Sequence, residues 1–294
     1  MIRRIVISAF VLLMQLVAHG QTDSLNAAMK YYSEKDYARA KTAIDAATNN
    51  PATANDPYTI YMRGFIYKEI YRNNEANDKM SPAREEAVKA FVRLIPLDTA
   101  KAFPEARQAL KNLASTYFNQ CGDFFGPDNY KTAIQYFENY DKYMHIADPN
   151  ANTKDLFINF YQSLATDLNK YFESDKKKYL PLMDEIDNCY KKVLSQDSTD
   201  AFSWKNIALL YYNHGVYVIN QIDPDKDFFD IDQIQDKAKV YFIRALPYGL
   251  KAHQFKPTDK DIVQMLENIY RALYNQEEGD KMHALLMKLN NGGQ

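Results

Sequence analysis

The stretch WKNIALLYYNHG, from Trp204 to Gly215 in a chain of 294 residues, decides the fold. Trp204, Ile207, Ala208 and Tyr211 are spaced three, one and three residues apart, so they share one face of a helix. Gly215 is expected to end this helix, because glycine commonly follows a helix C-terminus. The stretch therefore predicts an amphipathic helix that packs through aromatic, aliphatic and small side chains.

Weaker copies of the same pattern recur along the chain, and a recurring helical unit is the signature of a repeat architecture. The positions that repeat the pattern are Ile60, Gly64 and Tyr67, then Leu113, Ala114 and Tyr117, then Tyr161, Leu164, Ala165 and Leu168, and finally Val263, Leu266 and Tyr270. Each copy is followed by a second segment with helical periodicity. We therefore predict about six helix pairs.

Composition supports a helical globular protein. The hydrophobic content of 46% is enough for a substantial core, and 9 glycines and 11 prolines are too few for a disordered or fibrous chain. Tyrosine (23) and phenylalanine (16) are abundant, which suits helices that pack through aromatic side chains. No convincing alternating strand is found.

The residues from Trp204 to Gly215 resemble the first helix of a tetratricopeptide (TPR) repeat. The segment from Lys35 to Ala40 resembles the TPR turn and the start of its second helix, with Lys35 where the family usually has glycine. The resemblance covers nearly all of the chain after residue 20. It implies an all-α, right-handed α-solenoid of about six TPR-like helix pairs with enlarged loops, in one domain over residues 21–294.

Several local features are predicted from the same register. The segment Asn73 to Pro82 is an inserted polar loop, and Lys176-Lys177-Lys178 is a solvated loop. Glu85-Glu86 is a pair of solvent-facing carboxylates. The second helix of the fifth repeat runs from about Gln233 to Leu246. The segment Glu277 to Asp280 is the turn of the sixth repeat, before a shorter helix around Ala284, Leu285 and Leu289.

The first twenty residues are typical of a cleaved secretory signal. Arg3 and Arg4 precede the apolar run Ile5 to Val17, and Ala18-His19-Gly20 supplies small residues for a signal peptidase. The alternative is a membrane anchor, but the apolar run is shorter than the roughly 20 residues that a helical span needs. We expect a mature chain that begins near Gln21, without a membrane span, in the periplasm or outside the cell.

The sequence excludes several function classes. Without Arg3 and Arg4 the net charge is about −4, whereas nucleic-acid binding needs a concentrated basic face. No nucleophile elbow, phosphate loop or paired-histidine zinc motif occurs, so we expect no enzymatic activity, no cofactor and no metal. The histidines are scattered over separate repeats and are expected at the surface or hydrogen-bonded. Cys121 and Cys189 could form a disulfide after export, but buried free thiols are favoured.

One acidic stretch, Asp223 to Asp232, has alternating aspartates that suit Ca²⁺. Its first residues match the opening of an EF-hand loop, but Phe228 and Ile234 occupy the positions that need glycine and glutamate. The alternative is a polar loop in which Asp230 or Asp232 caps the following helix. This alternative is favoured.

The TPR resemblance implies that the first helices line a concave groove and that the groove binds a peptide or protein partner. Carried over position by position, the predicted binding residues are Tyr61, Phe65, Lys68, Lys111, Ser115, Phe118, Gln162, Thr166, Lys205, Leu209 and Tyr212. The expected function is an exported, non-enzymatic scaffold. The alternative is glycan binding, because the fold also resembles the helical repeats of SusD-like uptake proteins. Exposed clustered tyrosines would favour a glycan, and a mixture of amide, lysine and aromatic side chains would favour a peptide.

Overall fold

The computed structural model describes residues 23–223 and 228–291, and within these ranges the chain is helical and has no strand. The helices are α1 (23–33), α2 (Tyr37–Asn49), α3 (Pro57–Asn73), α4 (Pro82–Leu97), α5 (Pro104–Cys121), α6 (Tyr130–Ala147), α7 (Lys154–Ser174), α8 (Leu182–Gln196), α9 (Ala201–Ile219), α10 (Phe228–Phe255), α11 (Lys260–Ala272) and α12 (Gln276–Asn291). A short 3-10 turn, Gly122–Phe124, follows α5. The all-helical fold predicted from the sequence is confirmed.

The chain divides into two compact units. The first consists of the described residues of Met1–Asp123 and Thr132–Ala151, and the second of those of Phe124–Lys131 and Asn152–Gln294. In the first unit, α3 packs on α2 and on α4, and α4 packs on α5. In the second, each helix from α7 to α12 packs on the next one along the chain. Packing between sequence neighbours is what a stack of helix pairs requires.

The helices begin where the sequence supplies caps. The carboxylate of Asp56 accepts a hydrogen bond of 2.7 Å from the Thr59 amide, and Pro57 occupies the first turn of α3. Asp36 and Asp200 cap α2 and α9 in the same way. Lys35 has a φ of 58°, so it adopts the left-handed conformation for which the family uses glycine. The TPR-like turn is therefore kept at the cost of some backbone strain.

Small residues allow close contact between the two helices of a pair. A Cβ atom on Gly64 would lie 2.5 Å from the ring of Phe91, and one on Gly215 would lie 2.6 Å from the ring of Phe242. Ala208 is fully buried in α9. These contacts confirm the predicted inner faces of the second and fifth pairs.

The fifth pair is longer than predicted. Gly215 does not end α9, which continues to Ile219, because this glycine serves the contact with Phe242 rather than a turn. The helix α10 extends well beyond the predicted range of Gln233 to Leu246 and contains Pro247 in its interior. Trp204 lies half-buried in α9, where its indole N–H donates to the Ser198 carbonyl at 2.9 Å and its ring lies 5.9 Å from that of Tyr248.

The prediction that Asp230 or Asp232 caps a helix is wrong, because both lie inside α10. Residues 224–227 of the proposed calcium loop lie outside the described residues. The predicted turn from Glu277 to Asp280 is also wrong. The chain turns earlier, at Tyr274 with a φ of 58°, and α12 has already begun at Gln276.

Gly279 is buried in the first turn of α12, where an added Cβ atom would lie 3.3 Å from Cγ of Arg271. In the same helix Leu286 is buried, whereas Ala284 is exposed and Leu285 and Leu289 are half-buried, so the helix packs through a residue other than the three predicted. A short apolar pattern, Ala284 to Leu286, does not fix the rotation of a terminal helix, because α12 packs on only one preceding helix, α11.

The insertion predicted at Asn73 to Pro82 is confirmed as the loop 74–81, but it is not loosely held. Arg84 is only 1% exposed, and its guanidinium donates to the Lys79 carbonyl, to Gln120 Oε1 at 2.6 Å and to the Tyr136 hydroxyl at 3.1 Å. Gln120 Nε2 in turn donates to the Asn77 carbonyl at 3.1 Å. The loop is therefore anchored to α4, α5 and α6 of the first unit.

The prediction that Glu85 and Glu86 both face solvent is wrong. Glu85 accepts a hydrogen bond from the Tyr117 hydroxyl, and Glu86 pairs with Arg63 at 2.9 Å and with Lys89 at 2.8 Å. Both carboxylates are half-buried and engaged. Adjacent charges on a helix point to different neighbours, and here each finds a partner.

Cys121 and Cys189 are buried free thiols, as favoured from the sequence. Burial raises the pKa of the Cys121 thiol to about 11 and that of Cys189 to about 12. Both are therefore protonated and unreactive at neutral pH.

Among the described residues, no helix has the combination of length and apolarity that is needed to cross a bilayer. The predicted signal segment, residues 1–20, lies outside the described residues.

Candidate binding groove

The predicted binding residues of α3 form an aromatic cluster in the first unit. The Tyr61 ring lies 4.7 Å from that of Phe65 and 5.0 Å from that of Phe103, and Tyr58 stacks on Tyr61 at 5.9 Å. Lys68 places its ammonium 5.4 Å from the centre of the Phe65 ring. Burial, followed by the charge of Glu105, raises the pKa of Tyr61. These side chains largely contact one another.

The predicted residues of α5 are also engaged within the first unit. The Lys111 ammonium pairs with Asp148 at 2.9 Å, and the Ser115 hydroxyl donates to the Lys111 carbonyl at 3.0 Å. The Phe118 ring lies 5.0 Å from that of Tyr140. Because Lys111 is paired with Asp148, the predicted residues of α5 offer a ligand fewer hydrogen-bond donors than the sequence suggested.

In the second unit, two predicted residues of α7 line an open cavity. Gln162 and Thr166 face a volume of about 450 Å³. Its walls combine aromatic rings, hydroxyl groups, an amide and both charges. The lining residues are Phe125, Gln162, Ser163, Thr166, Asp167, Lys170 and Phe202.

Neighbouring side chains fix the polar groups of this cavity. Gln162 Nε2 donates to the carboxylate of Asp200 at 2.9 Å, which leaves the amide oxygen of Gln162 with no further bond among the described residues. The Thr166 hydroxyl donates to the Gln162 carbonyl at 2.7 Å and lies 3.5 Å from the Tyr190 hydroxyl. The carboxylate of Asp200 also caps α9. A structural cap thus orients a groove residue.

Two phenylalanines form the aromatic walls of the cavity. Phe202, at the start of α9, is 43% exposed and lies 6.2 Å from the Tyr190 ring. Phe125, which follows α5, lies 5.8 Å from the Phe160 ring. Sequence reasoning missed both. The position of Phe202 two residues before Trp204 could have indicated it, whereas the enlarged turn that holds Phe125 gives no periodic signal.

The predicted residues of α9 are more buried and make more contacts within the protein than those of α7. The Lys205 ammonium lies 3.5 Å from the Asp261 carboxylate and its side chain is mostly buried. The Tyr212 ring lies 5.6 Å from that of Phe242, and burial raises the pKa of Tyr212. Leu209 is half-buried. Of the three, Tyr212 lines a cavity.

This second cavity has a volume of about 410 Å³ and lies along the C-terminal half of α9. Its lining residues are Glu173, Lys176, Tyr212, Asn213, Val216, Tyr217 and Asn220. The prediction that Lys176 lies in a solvated loop is wrong. Its side chain is only 10% exposed, pairs with Glu173 and lies over the Phe172 ring at 4.8 Å. Lys177 and Lys178 are exposed, so the prediction is correct for two of the three lysines.

His214 is another departure from expectation. It is buried, its ring lies 4.4 Å from that of Tyr241, and its Nδ1 atom is buried without a hydrogen-bond partner in the described chain. Burial, followed by the nearby charge of Lys176, lowers the pKa of His214. Within residues 23–223 and 228–291, no group of three potential metal ligands converges.

No family model matches the chain, and no curated protein is significantly similar to it. Among solved structures, a TPR repeats protein (BF2334) from Bacteroides fragilis NCTC 9343 is 17% identical, over 85% of this chain and 98% of that chain, with a TM-score of 0.46. The fold is a TPR-like helical repeat.

Two further structures resemble this TPR-like chain. The MamA protein is 14% identical over 78% of this chain and 92% of that chain, with a TM-score of 0.32. A human IFIT1 dimer with m7Gppp-AAAA is 17% identical over 89% of this chain and 58% of that chain, also with a TM-score of 0.32. No function is transferred from these proteins. The TPR-like assignment rests on the helix pairs of this chain and their glycine-to-phenylalanine contacts.

Proposed function

We propose that this protein is an exported, non-enzymatic scaffold that binds a peptide segment of a partner protein in the α7 and α9 groove of the second unit. The observation that carries the proposal is the cavity of about 450 Å³ beside Gln162 and Thr166. Its mixture of amide, hydroxyl, lysine and aromatic groups suits a peptide, which presents backbone amides and side chains of several kinds. Aromatic walls with a cation are also common in binding hot spots.

The eleven predicted binding residues do not contribute equally to this proposal. Gln162, Thr166 and Tyr212 line cavities in the second unit and are proposed as direct contacts. Lys205 is proposed as a positioning residue, because its ammonium is near Asp261. The residues of α3 and α5 form separate patches within the first unit. They remain candidates for contact with other parts of a partner.

Site-specific photo-crosslinking tests the proposal. A benzophenone amino acid in place of Phe202 should form a covalent adduct with the partner in living cells, because this ring forms one wall of the cavity and is exposed. The matched control has the same amino acid in place of Leu180, which is similarly exposed but lines neither of the two groove cavities. The adduct is identified by mass spectrometry.

A second variant distinguishes the cavity from its surroundings. Thr166→Arg places a long side chain into the cavity from an exposed position, so helical circular dichroism should be unchanged while the Phe202 adduct is lost. Adducts of equal yield at positions 202 and 180, or an adduct that survives Thr166→Arg in a folded protein, would refute a peptide site in this groove.

The aromatic cluster of α3 favours a second candidate function, glycan binding. Tyr58 is exposed beside Tyr61 and Phe103, and such a set of rings offers faces on which sugar rings can stack. Isothermal titration calorimetry with a panel of oligosaccharides tests this candidate. Binding that Tyr58→Ala removes would support it, and absence of heat with every oligosaccharide would reject it.

A further inference from the structure

The outer face of α10 is apolar where a surface helix is normally polar. The buried face of this helix carries Ala238, Phe242, Ala245 and Ala252. On the opposite face, Val240 is 55% exposed, Ile243 54% and Leu250 43%, and Pro247 is exposed between them. No other helix of the described chain has more than one large hydrophobic side chain exposed to this degree. A second apolar face on a surface helix favours a second packing partner.

The spacing of these residues indicates what kind of partner fits. Val240, Ile243, Pro247 and Leu250 are three, four and three residues apart, which is the spacing of a helix-to-helix seam. At 1.5 Å per residue the seam is about 15 Å long. With a rotation of about 100° per residue, the four side chains cover an arc of roughly 80° around the helix axis. The apolar face of an amphipathic helix that packs on a broad surface is typically wider than about 100°. The geometry favours a helix over a lipid surface.

From Lys237 onward the charges beside the seam are all positive, and the acidic residue Asp236 lies one turn before Val240 at the N-terminal end of the seam. Residues 237–258 contain five basic residues and no acidic residue. Arg244 and Lys251 flank one side of the seam and Lys239 flanks the other. The Arg244 guanidinium is held 4.3 Å above the Tyr211 ring and donates to its hydroxyl at 2.8 Å. Part of the cationic rim is therefore fixed in place.

This rim selects against a second copy of the chain packed in parallel. Two parallel α10 helices that meet through the same seam would bring the lysines and arginines of both rims together, and like charges at these positions destabilise a helix pair. A helix with carboxylates beside its apolar seam would instead meet a cation on each side.

We propose that the outer face of α10 is a docking site for an acidic amphipathic helix of a partner protein. The site is separate from the groove, since the groove cavities are lined from α7, α9 and the segments beside them. The protein would then hold two partner segments at once, an extended peptide in the groove and a helix on α10. The proposal does not depend on the groove being a peptide site.

The test uses a pair of synthetic helical peptides with leucines at the seam spacing. One carries glutamates beside the leucines and the other carries lysines. Fluorescence anisotropy with the full chain should show binding of the acidic peptide, at least ~10-fold tighter than that of the basic peptide, and weaker binding as salt is added. The double variant Ile243→Ser/Leu250→Ser should weaken binding more than ~10-fold with unchanged circular dichroism, because both positions are exposed. The control Met287→Ser, at a similarly exposed residue of α12, should bind as the parent does.

Four results would overturn the proposal. The first is that the acidic peptide does not bind. The second is that the double variant binds the acidic peptide as tightly as the parent protein does. The third is dimerisation of the parent, seen by analytical ultracentrifugation and lost in the double variant, which would assign the seam to a second copy. The fourth is co-sedimentation with phosphatidylglycerol vesicles that the double variant abolishes, which would assign it to a membrane surface.

Discussion

At the scale of single residues, Arg84 shows how a charge can be accommodated in the core. Its guanidinium lies 3.9 Å from the centre of the Tyr117 ring and 5.3 Å from that of the Tyr136 ring. Within the described chain no ion pair joins it to a carboxylate, so aromatic faces and neutral oxygens replace the counter-charge. A cation over aromatic rings is stabilised most when it is desolvated. The sequence gives no indication of this burial, because a lone arginine after a proline suggests a surface helix.

We expect Arg84→Met to destabilise the protein by roughly 1–3 kcal/mol, because Gln120 Oε1 would lose its donor and the Lys79 carbonyl would keep only the Tyr136 hydroxyl, both at part-buried positions. The loop 74–81 should also become accessible. Limited digestion with proteinase K should cut the variant in this loop before the parent. The control Arg39→Met removes an exposed arginine whose ion pair with Asp36 lies at the surface, and it should change stability by less than about 0.5 kcal/mol. A variant with parental digestion kinetics would show that the loop is held by other contacts.

His214 makes stability dependent on pH. Burial, and then Lys176, lowers the pKa of the folded-state imidazole, with Glu173 acting in the opposite direction. The unfolded chain therefore binds more protons than the folded chain below about pH 6.5, the usual histidine pKa. The free energy of unfolding should fall as the pH is lowered from there towards the folded-state pKa.

Denaturant titrations of the parent and of His214→Phe between about pH 7.5 and pH 5 measure this contribution. The variant should lose less stability on acidification than the parent does. The matched control is His145→Phe, which removes an exposed histidine and leaves the buried site intact. Equal slopes in the parent and His214→Phe would mean that this histidine does not couple proton binding to folding.

At the scale of helices, the starts of α2, α3 and α9 and the inner faces of the second and fifth pairs could be predicted from the sequence. The caps Asp36, Asp56 and Asp200 act locally, through hydrogen bonds to amides three residues on, so local sequence is sufficient. Helix ends were harder. Pro96 and Pro247 lie within α4 and α10, because packing along the helix outweighs the hydrogen bond that a proline omits. Such tertiary contacts are not encoded in any short window.

Gly215→Ala tests the close contact in the fifth pair. The added Cβ would lie 2.6 Å from the buried Phe242 ring, and overpacking of this kind costs about 1–3 kcal/mol, more than the gain of up to ~1 kcal/mol from replacing a helical glycine. The melting temperature should fall. Adding Phe242→Leu should recover part of the loss if the ring is the obstacle.

Gly279→Ala is the matched control for this substitution. Its nearest neighbour is Arg271 Cγ at 3.3 Å, on a partly exposed side chain that can shift, so the melting temperature should stay or rise. If both glycine variants behaved alike, the helix crossing in the fifth pair would be wider than described.

At the scale of the whole molecule, most packing joins helices that are neighbours in sequence. Such an arrangement could be predicted from repeated apolar positions, because each pair needs only the next to bury its face. The candidate groove was less predictable. Gln162 and Thr166 followed from the repeat register, but Phe125 lies outside any helix and Lys176 was assigned to solvent. Residues in the loops between helices follow no helical periodicity, so a sequence pattern does not identify them.

Export is the prediction that belongs to the entire chain. If residues 1–20 are a signal peptide, expression in a Gram-negative host should give a periplasmic protein whose mature N-terminus is at or near Gln21. Intact-mass measurement of the purified protein would show the loss of the segment Met1 to Gly20. Recovery of the full-length mass from the cytoplasmic fraction would contradict export, whereas Arg3→Glu/Arg4→Glu should slow it if the basic residues drive translocation.

The position of Trp204 has a practical consequence. It is the single tryptophan of the chain, and it lies in α9, the helix that also carries Phe202 and Tyr212. With its indole N–H bonded to Ser198 and a tyrosine ring 5.9 Å away, its emission reports on the surroundings of this one helix, while the 23 tyrosines report on the chain as a whole. Excitation at the red edge of the absorption band, where only tryptophan absorbs, would therefore let a label-free fluorimeter follow an event near the groove without the signal of the tyrosines.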